Sequence, residues 1–356
     1  LGMASYPTFN LNDPRKLTGM YTDEEIKDMS DEEYRNNLYS LWTNYCVSES
    51  YEPGSTFKPV TVASALEEGV VKDGDTYVCK GFETVADYKL KCHVFSTIGS
   101  HGSLTVEQAL MNSCNPYMIH LALEMGNSRF AYYQSLFGFG KITGIDLPGE
   151  TTGIVYGDRM TTIDAACNSF GQTINVNMMQ MMAAYCSIIN GGMLYQPHIV
   201  KRIESANGEV VKEYKANLVR QTITASTSKL LRRYLKNTVE EGTAKKAGVT
   251  GYSVAGKTGT AQKGDRKDNK WIISFIGHAP AENPKFAIYV VIDEPYGTTG
   301  TSGSSADVLT LTHNILEKLL PYMNVYKDAS DEYEDTSSSP DELTVDGIPA
   351  GTASSN

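Results

Sequence analysis

A Pro-Gly pair interrupts both helix and strand, and Pro53-Gly54 stands directly before an apolar run, Ser55 to Glu68, that has helical patterning and ends at Gly69. The stretch Tyr51-Glu52-Pro53-Gly54-Ser55-Thr56-Phe57-Lys58 therefore predicts a turn that opens a helix. Pro59 is tolerated there, because the N–H groups of a first helical turn have no intrahelical partner. Ser55 is then placed where unpaired backbone N–H groups and the positive end of the helix dipole favour developing negative charge. Lys58, three residues on, shares its face. A hydroxyl beside an amine able to take its proton is a nucleophile with its base. By itself the spacing is weak: Ser-x-x-Lys recurs by chance about once in 300 residues, and Ser226 with Lys229 repeats it here.

With 356 residues, 41% of them hydrophobic and 21% charged, the chain has material for one large or two ordinary domains. A mean hydropathy of −0.30 excludes a mostly membrane-embedded protein, and no apolar run reaches the roughly 18 residues that a spanning helix needs. No charged-then-apolar signal stretch precedes Gly2-Met3-Ala4, so the chain is expected to be a piece of a longer protein. Much of the net charge of −11 comes from the segment after residue 326, which holds eight acids and one base. That segment has too little apolar surface to pack, and residues 326–356 are expected to form a disordered acidic tail behind a single domain, 1–325. The body carries no basic stripe with interleaved aromatics, which argues against a nucleic-acid partner.

Along the chain, Met3-Ala4-Ser5-Tyr6-Pro7 reads as a strand end running into loop, and a short helix is expected from Thr22 to Asn36. Val70 to Gly102 reads as a turn-rich hairpin excursion holding Cys79, Cys92, His93 and His101. A helical pattern from Leu104 to Gly126 is interrupted at Asn115-Pro116, so Ser113-Cys114-Asn115 should end one helix just before a second begins. One Met-rich helix is expected from Ile163 to Asn190, with Met178, Met179, Met181, Met182, Cys167 and Cys186 as core filling. A hairpin turning at Asn207-Gly208 and an amphipathic helix from Ser226 to Glu241 follow. Three strands, Ser253 to Thr260, Trp271 to His278 and Phe286 to Asp293, precede a final helix, Asp307 to Leu320.

Two further motifs join the first. Ser113-Cys114-Asn115 offers a hydroxyl and a carboxamide at a helix break, and Lys257-Thr258-Gly259-Thr260 is the only Lys-Thr/Ser-Gly in the chain. In a strand, Lys257 and Gly259 share a face, and the missing side chain at Gly259 lets a ligand backbone come close. Ser-x-x-Lys, Ser-x-Asn and Lys-Thr-Gly in that order form a recognised set. With Phe170-Gly171-Gln172 and Glu241-Gly242-Thr243-Ala244, they make residues 1–322 closely resemble the transpeptidase domain of class B penicillin-binding proteins.

That resemblance implies an α+β, serine β-lactamase/transpeptidase-like fold, with an antiparallel sheet flanked by helices plus an all-helical subdomain. It implies peptidoglycan cross-linking through an acyl-enzyme on D-Ala-D-Ala stem peptides, with β-lactams as acylating mimics and no cofactor required for catalysis. Ser55, Lys58, Ser113 and Lys257 are the implied catalytic set, and Asn115, Thr258, Gly259 and Thr260 the implied substrate-binding set. The N–H groups of Ser55 and Thr260 are the implied oxyanion donors. Implied partners are a membrane glycosyltransferase and divisome or elongasome proteins, reached through the region before residue 1, with the domain on the outer face of the cell membrane. A serine β-lactamase would need a hydrolytic water with its own carboxylate loop, which is not recognisable, and a β-lactam sensor would not share the Phe170 and Glu241 surroundings.

Cys79, Cys92, His101 and Cys114, with His93 nearby, suit Zn²⁺, which takes four N/S ligands. The spacing is not that of a standard finger, so a structural zinc, a Cys79–Cys92 disulfide and free thiols all remain open.

Overall fold

The computed structural model describes residues 2–17, 19–264, 269–295 and 304–329. Strands β9 (Ala255–Lys263), β10 (Lys270–Ala279) and β11 (Phe286–Asp293) form an antiparallel sheet in the order β11-β10-β9. The middle strand is buried on both faces because both are covered. Ile272 and Ile276 join the larger core, whereas Ile273 and Phe275 pack with Val308, Leu309, Leu316 and Leu320 of helix α11 (Ala306–Tyr322).

The larger core is mostly helical and lies under the other face of the sheet. It combines α4 (Lys58–Glu68), α5 (Val106–Met111), α6 (Asn115–Met125) and α7 (Asn127–Leu136) with α9 (Met178–Ile189) and α10 (Ala225–Glu240). Helix α8 (Thr162–Asn168) adds a small satellite cluster with Phe170 and Ile119. Local chemistry starts these helices: Thr105 with Gln108 and Asn177 with Gln180 form capping boxes at α5 and α9. Between α4 and α5 stand two hairpin-like pairs, β1 (Thr76–Cys79) with β4 (Gly102–Thr105) and β2 (Phe82–Val85) with β3 (Tyr88–Lys91). The remaining strands, β5 (Met193–Gln196), β6 (Arg202–Glu204), β7 (Val210–Glu213) and β8 (Asn217–Gln221), form two small pairs before α10. This is the α+β arrangement that the motif set implies.

Several expectations need correction. The helix expected over Ile163 to Asn190 is two, α8 and α9, because Gly171 (φ +82) and Thr173 (φ +60) take left-handed backbone between them. The helix expected over Thr22 to Asn36 is also two, α1 (Asp23–Asp28) and α2 (Asp31–Trp42). Ser30 and Glu33 form a second capping box that restarts the helix. Helix α7 was not anticipated, nor was the short α3 (Tyr45–Ser48), and Met3-Ala4-Ser5 is not in a strand. The expected tail does not begin at residue 326. Asp328 and Ala329 donate backbone N–H groups to Gly251 O, and Asp328 accepts from the Ser253 N–H at 2.7 Å. The rest of that segment lies outside the described residues.

Candidate active site

The turn before α4 is a single 3₁₀ turn, Gly54–Phe57, so Ser55 lies just ahead of the helix rather than at its first residue. Main chain packs on main chain here. The Gly54 N–H donates to Gly171 O at 3.0 Å. A Cβ on Gly54 would run into Thr260 O, and one on Gly171 into Gly54 O. Gly171 thus lets the loop between α8 and α9 seat the Ser55 turn against β9. Gly171→Ala should cost about 3 kcal/mol or more, because its left-handed backbone and the overlap both oppose a side chain. The expected reading is a melting temperature lower by roughly 5–10 °C. An unchanged melting curve would show that the wedge is not rigid.

Helix α4 carries Lys58 inward to a fully buried amine. Across from it, the break between α5 and α6 holds Ser113 in left-handed backbone (φ +53), and Asn115 opens α6. Such strain at a non-glycine residue persists where surrounding contacts impose it. Lys58 Nζ donates to Ser113 O at 2.5 Å, Asn115 Oδ1 at 2.7 Å and Ser113 Oγ at 2.9 Å. Lys257 Nζ, arriving from β9, donates to Ser113 Oγ at 3.1 Å, and Ser113 Oγ donates to Ser55 Oγ at 3.0 Å. Ser113 therefore stands at the centre of the three groups. The hydrogen-bonded path from Ser55 to Lys58 runs through it.

Burial pulls the Lys58 amine down to about 8, with the Cys92 and Cys114 thiols opposing. Lys257 is held well below the ordinary lysine range, first by burial and then by the charge on Lys58. Burial dominates for both amines, and the charge on Lys58 acts on Lys257.

Thr258 turns its hydroxyl toward Lys257 Nζ at 3.4 Å and toward Thr243 Oγ1, also at 3.4 Å. The Thr243 N–H in turn donates to Met111 O at 3.2 Å, which gives Glu241-Gly242-Thr243-Ala244 its structural reason: it fastens α10 and β9 to the end of α5. Gly259 does not face a vacant groove. A Cβ there would meet Ser274 Oγ at 2.5 Å, Thr56 Cγ2 at 2.8 Å and Pro53 O at 2.9 Å, so the close approach is by the Ser55 turn itself. Thr260 contributes its backbone beside Gly54. The second Ser-x-x-Lys, Ser226 and Lys229, lies near the start of α10, where the Ser226 hydroxyl meets Thr224 Oγ1 at 2.9 Å.

Behind Ser113 lies a second group. Sγ of Cys79, Cys92 and Cys114 and a ring nitrogen of His101 all fall within 4.8 Å of one another. All six cysteines are free, so Cys79 and Cys92 form no disulfide. Hydrogen bonding from the Cys114 thiol, opposed by burial and aided by His101, lowers Cys79 to about 5 and Cys92 to about 3. Three soft sulfurs and an imidazole are a donor set that could hold a metal such as zinc. His93 stands apart from this set, its Nε2 2.9 Å from Asn112 O.

A family model described as the penicillin binding protein transpeptidase domain matches residues 1–317. The chain is 38% identical over 331 residues to stage V sporulation protein D of Bacillus subtilis, covering 91% of this chain and 48% of that protein. It is 31% identical over 335 residues to peptidoglycan D,D-transpeptidase FtsI of Escherichia coli, covering 92% and 50% respectively. The chain thus spans about half the length of these relatives. Among solved structures, the D,D-transpeptidase domain of a peptidoglycan glycosyltransferase from Eggerthella lenta superposes with a TM-score of 0.75 at 26% identity, over 90% of this chain and 74% of that one. Penicillin binding protein 3 of Mycobacterium tuberculosis, complexed with aztreonam, gives 0.72 at 29%, over 81% and 66%.

Proposed function

The chain belongs to the penicillin binding protein transpeptidase family, and from that premise we propose that it acts as a peptidoglycan D,D-transpeptidase with Ser55 as its nucleophile. The observation that carries this reading is the single hydroxyl, Ser113 Oγ, hydrogen-bonded to Ser55, Lys58 and Lys257 together.

Ser55 Oγ attacks the penultimate D-Ala carbonyl of a stem peptide. With Lys58 neutral the hydroxyl protons turn about, and the Ser55 proton passes to Ser113 Oγ as the Ser113 proton, now directed at Lys58, passes to the amine. The amine must be neutral to accept it, which its lowered pKa permits near neutral pH. The oxyanion lies between the N–H groups of Ser55 and Thr260, each worth roughly 3–4 kcal/mol. Collapse breaks the peptide bond, and the departing D-Ala amine takes the proton back along the same path. A neighbouring stem's amine then displaces Ser55 and forms the cross-link. Asn115 bonds the substrate amide. Lys257, Thr258 and Thr260 receive the terminal carboxylate, whose charge favours the ammonium form of Lys257. β-Lactams enter by the same attack and remain as esters.

Intact-mass spectrometry after exposure to penicillin, with peptide mapping and a time course, tests this. A lasting adduct on Ser55 is expected. An adduct lost within seconds would make the protein a β-lactamase, and none at all would overturn the reading. Among the described residues no helix is long and apolar enough to cross a membrane. A position on the outer face of the cell membrane, a glycosyltransferase partner and divisome or elongasome contacts are proposed for the whole protein, supported by the family alone.

We infer further that Cys79, Cys92, His101 and Cys114 hold a structural zinc, which would tie the β1–β4 excursion to the break that carries Ser113 and Asn115. Elemental analysis of protein purified without chelator should find about one zinc per chain, and its removal should lower the melting temperature. Metal-free protein with an unchanged melting curve would sink the assignment.

A further inference from the structure

We propose that Tyr289, on the far strand β11, is a positioning residue for the nucleophile turn. The proposal rests on the reading of Ser55 as nucleophile. Thr56, the residue after it, is 1% exposed and donates its hydroxyl proton to Pro53 O at 2.7 Å, which closes the turn on itself. The same hydroxyl lies 3.4 Å from the Tyr289 hydroxyl, which accepts from Tyr51 OH at 2.8 Å.

A carbonyl carries no proton, so the Thr56 proton goes to Pro53 and Tyr289 is the donor in its contact with Thr56, its hydroxyl also meeting the Ser274 side chain. The protons therefore run one way, Tyr51 to Tyr289 to Thr56 to Pro53. Burial raises the Tyr289 phenol above its usual range, so it keeps its proton to donate.

This chain grips the turn from both sides of Ser55. Tyr51, at the entry, is paired with Val176 by two backbone bonds of 3.1 and 3.0 Å. Thr56, at the exit, rests in the notch left by Gly259. Across the sheet, Tyr289 pairs with Ile276, which pairs with Lys257, and Ser274, two residues before Ile276, pairs with Gly259. Tyr289 thus links the outer strand, through Thr56, to the height of the turn above β9, and that height decides whether the Ser55 and Thr260 N–H groups converge on one oxygen. Among the described residues Tyr289 hydrogen-bonds Tyr51, Thr56 and Ser274, and none of Lys58, Ser113 or Lys257. Its role is geometric and leaves the proton path alone.

The test is stopped-flow acylation by a fluorescent penicillin in Tyr289→Phe, Tyr51→Phe and Thr56→Val, each of near-native volume. Tyr289→Phe should lower the acylation rate constant at saturating reagent about tenfold, with pre-covalent affinity unchanged within about twofold and the shape of the pH profile retained. Tyr51→Phe leaves the Tyr289–Thr56 contact in place and should cost about twofold at most. Tyr289→Phe added to Thr56→Val should cost nothing more. The wild-type rate in Tyr289→Phe, or a rate loss accounted for by fewer labelled molecules at the end point, would overturn the proposal while Ser55 labelling in the wild type stands. Failure to label Ser55 in the wild type would overturn the functional reading and this inference with it.

Discussion

Replacement of Ser55 by alanine is expected to abolish acylation by a fluorescent penicillin while leaving the melting curve near that of the wild type. Removing the nucleophile of a serine acyltransferase costs on the order of 10⁶ in rate, since no neighbouring group attacks in its place. Here the nearest other hydroxyl, Ser113, is turned toward Lys58 and Lys257 and sits in strained backbone behind Ser55. Stability should barely change, because Ser55 is half-buried and its side chain donates to no buried carbonyl among the hydrogen bonds described. Retained labelling at any site in Ser55→Ala would place the reactive group elsewhere.

Lys58→Met should lower the acylation rate about 10³-fold, a general base being worth about 10² to 10⁴. The wild-type rate should rise with pH, gaining about tenfold per unit below pH 8 and levelling above it, because only the neutral amine accepts the proton. Stability moves in the same direction. The folded-state pKa of about 8 lies below the unfolded value, so between about pH 8 and 10.4 the unfolded chain binds more protons and folding strengthens as pH rises. Below pH 8 the cost of burying the amine, on the order of 3 kcal/mol, is present in full. Urea unfolding of wild type and Lys58→Met at pH 7 and 9.5 checks this. The mutant's advantage should be larger at pH 7, and equal advantages at both values would mean that Lys58 is not the titrating group.

The sequence carried the order of the elements and the three motifs because each depends on neighbours in the chain. A turn before a helix, a break at Asn115-Pro116 and short apolar runs bounded by turn residues are local decisions. What it did not carry is set by partners distant in sequence. The Phe170-Gly171-Gln172 motif reads as a feature of a helix until Gly54, 117 residues earlier, is seen to occupy the space of its side chain. Gly259 invites a ligand on paper, whereas Thr56 and Ser274 fill its notch in the fold. Likewise the hydrogen-bonded path through Ser113 is invisible in a spacing that puts Lys58 one turn from Ser55. Four metal-type ligands drawn from β1, the loop after β3, the approach to β4 and the start of α6 could be named from composition, but only folding brings their donor atoms within 4.8 Å.

The seating of the Ser55 turn is made of peptide groups: the Gly54 N–H on Gly171 O, and the Gly54 Cα against the Thr260 carbonyl. Peptide groups are common to nearly every residue type, so away from Gly54 and Gly171, where a Cβ would intrude, a substitution leaves these contacts as they are. Residues one layer out, such as Thr56, Thr243 or Tyr289, bear on the same region through side-chain hydroxyls, so a lost methyl or hydroxyl there leaves the peptide contacts themselves in place.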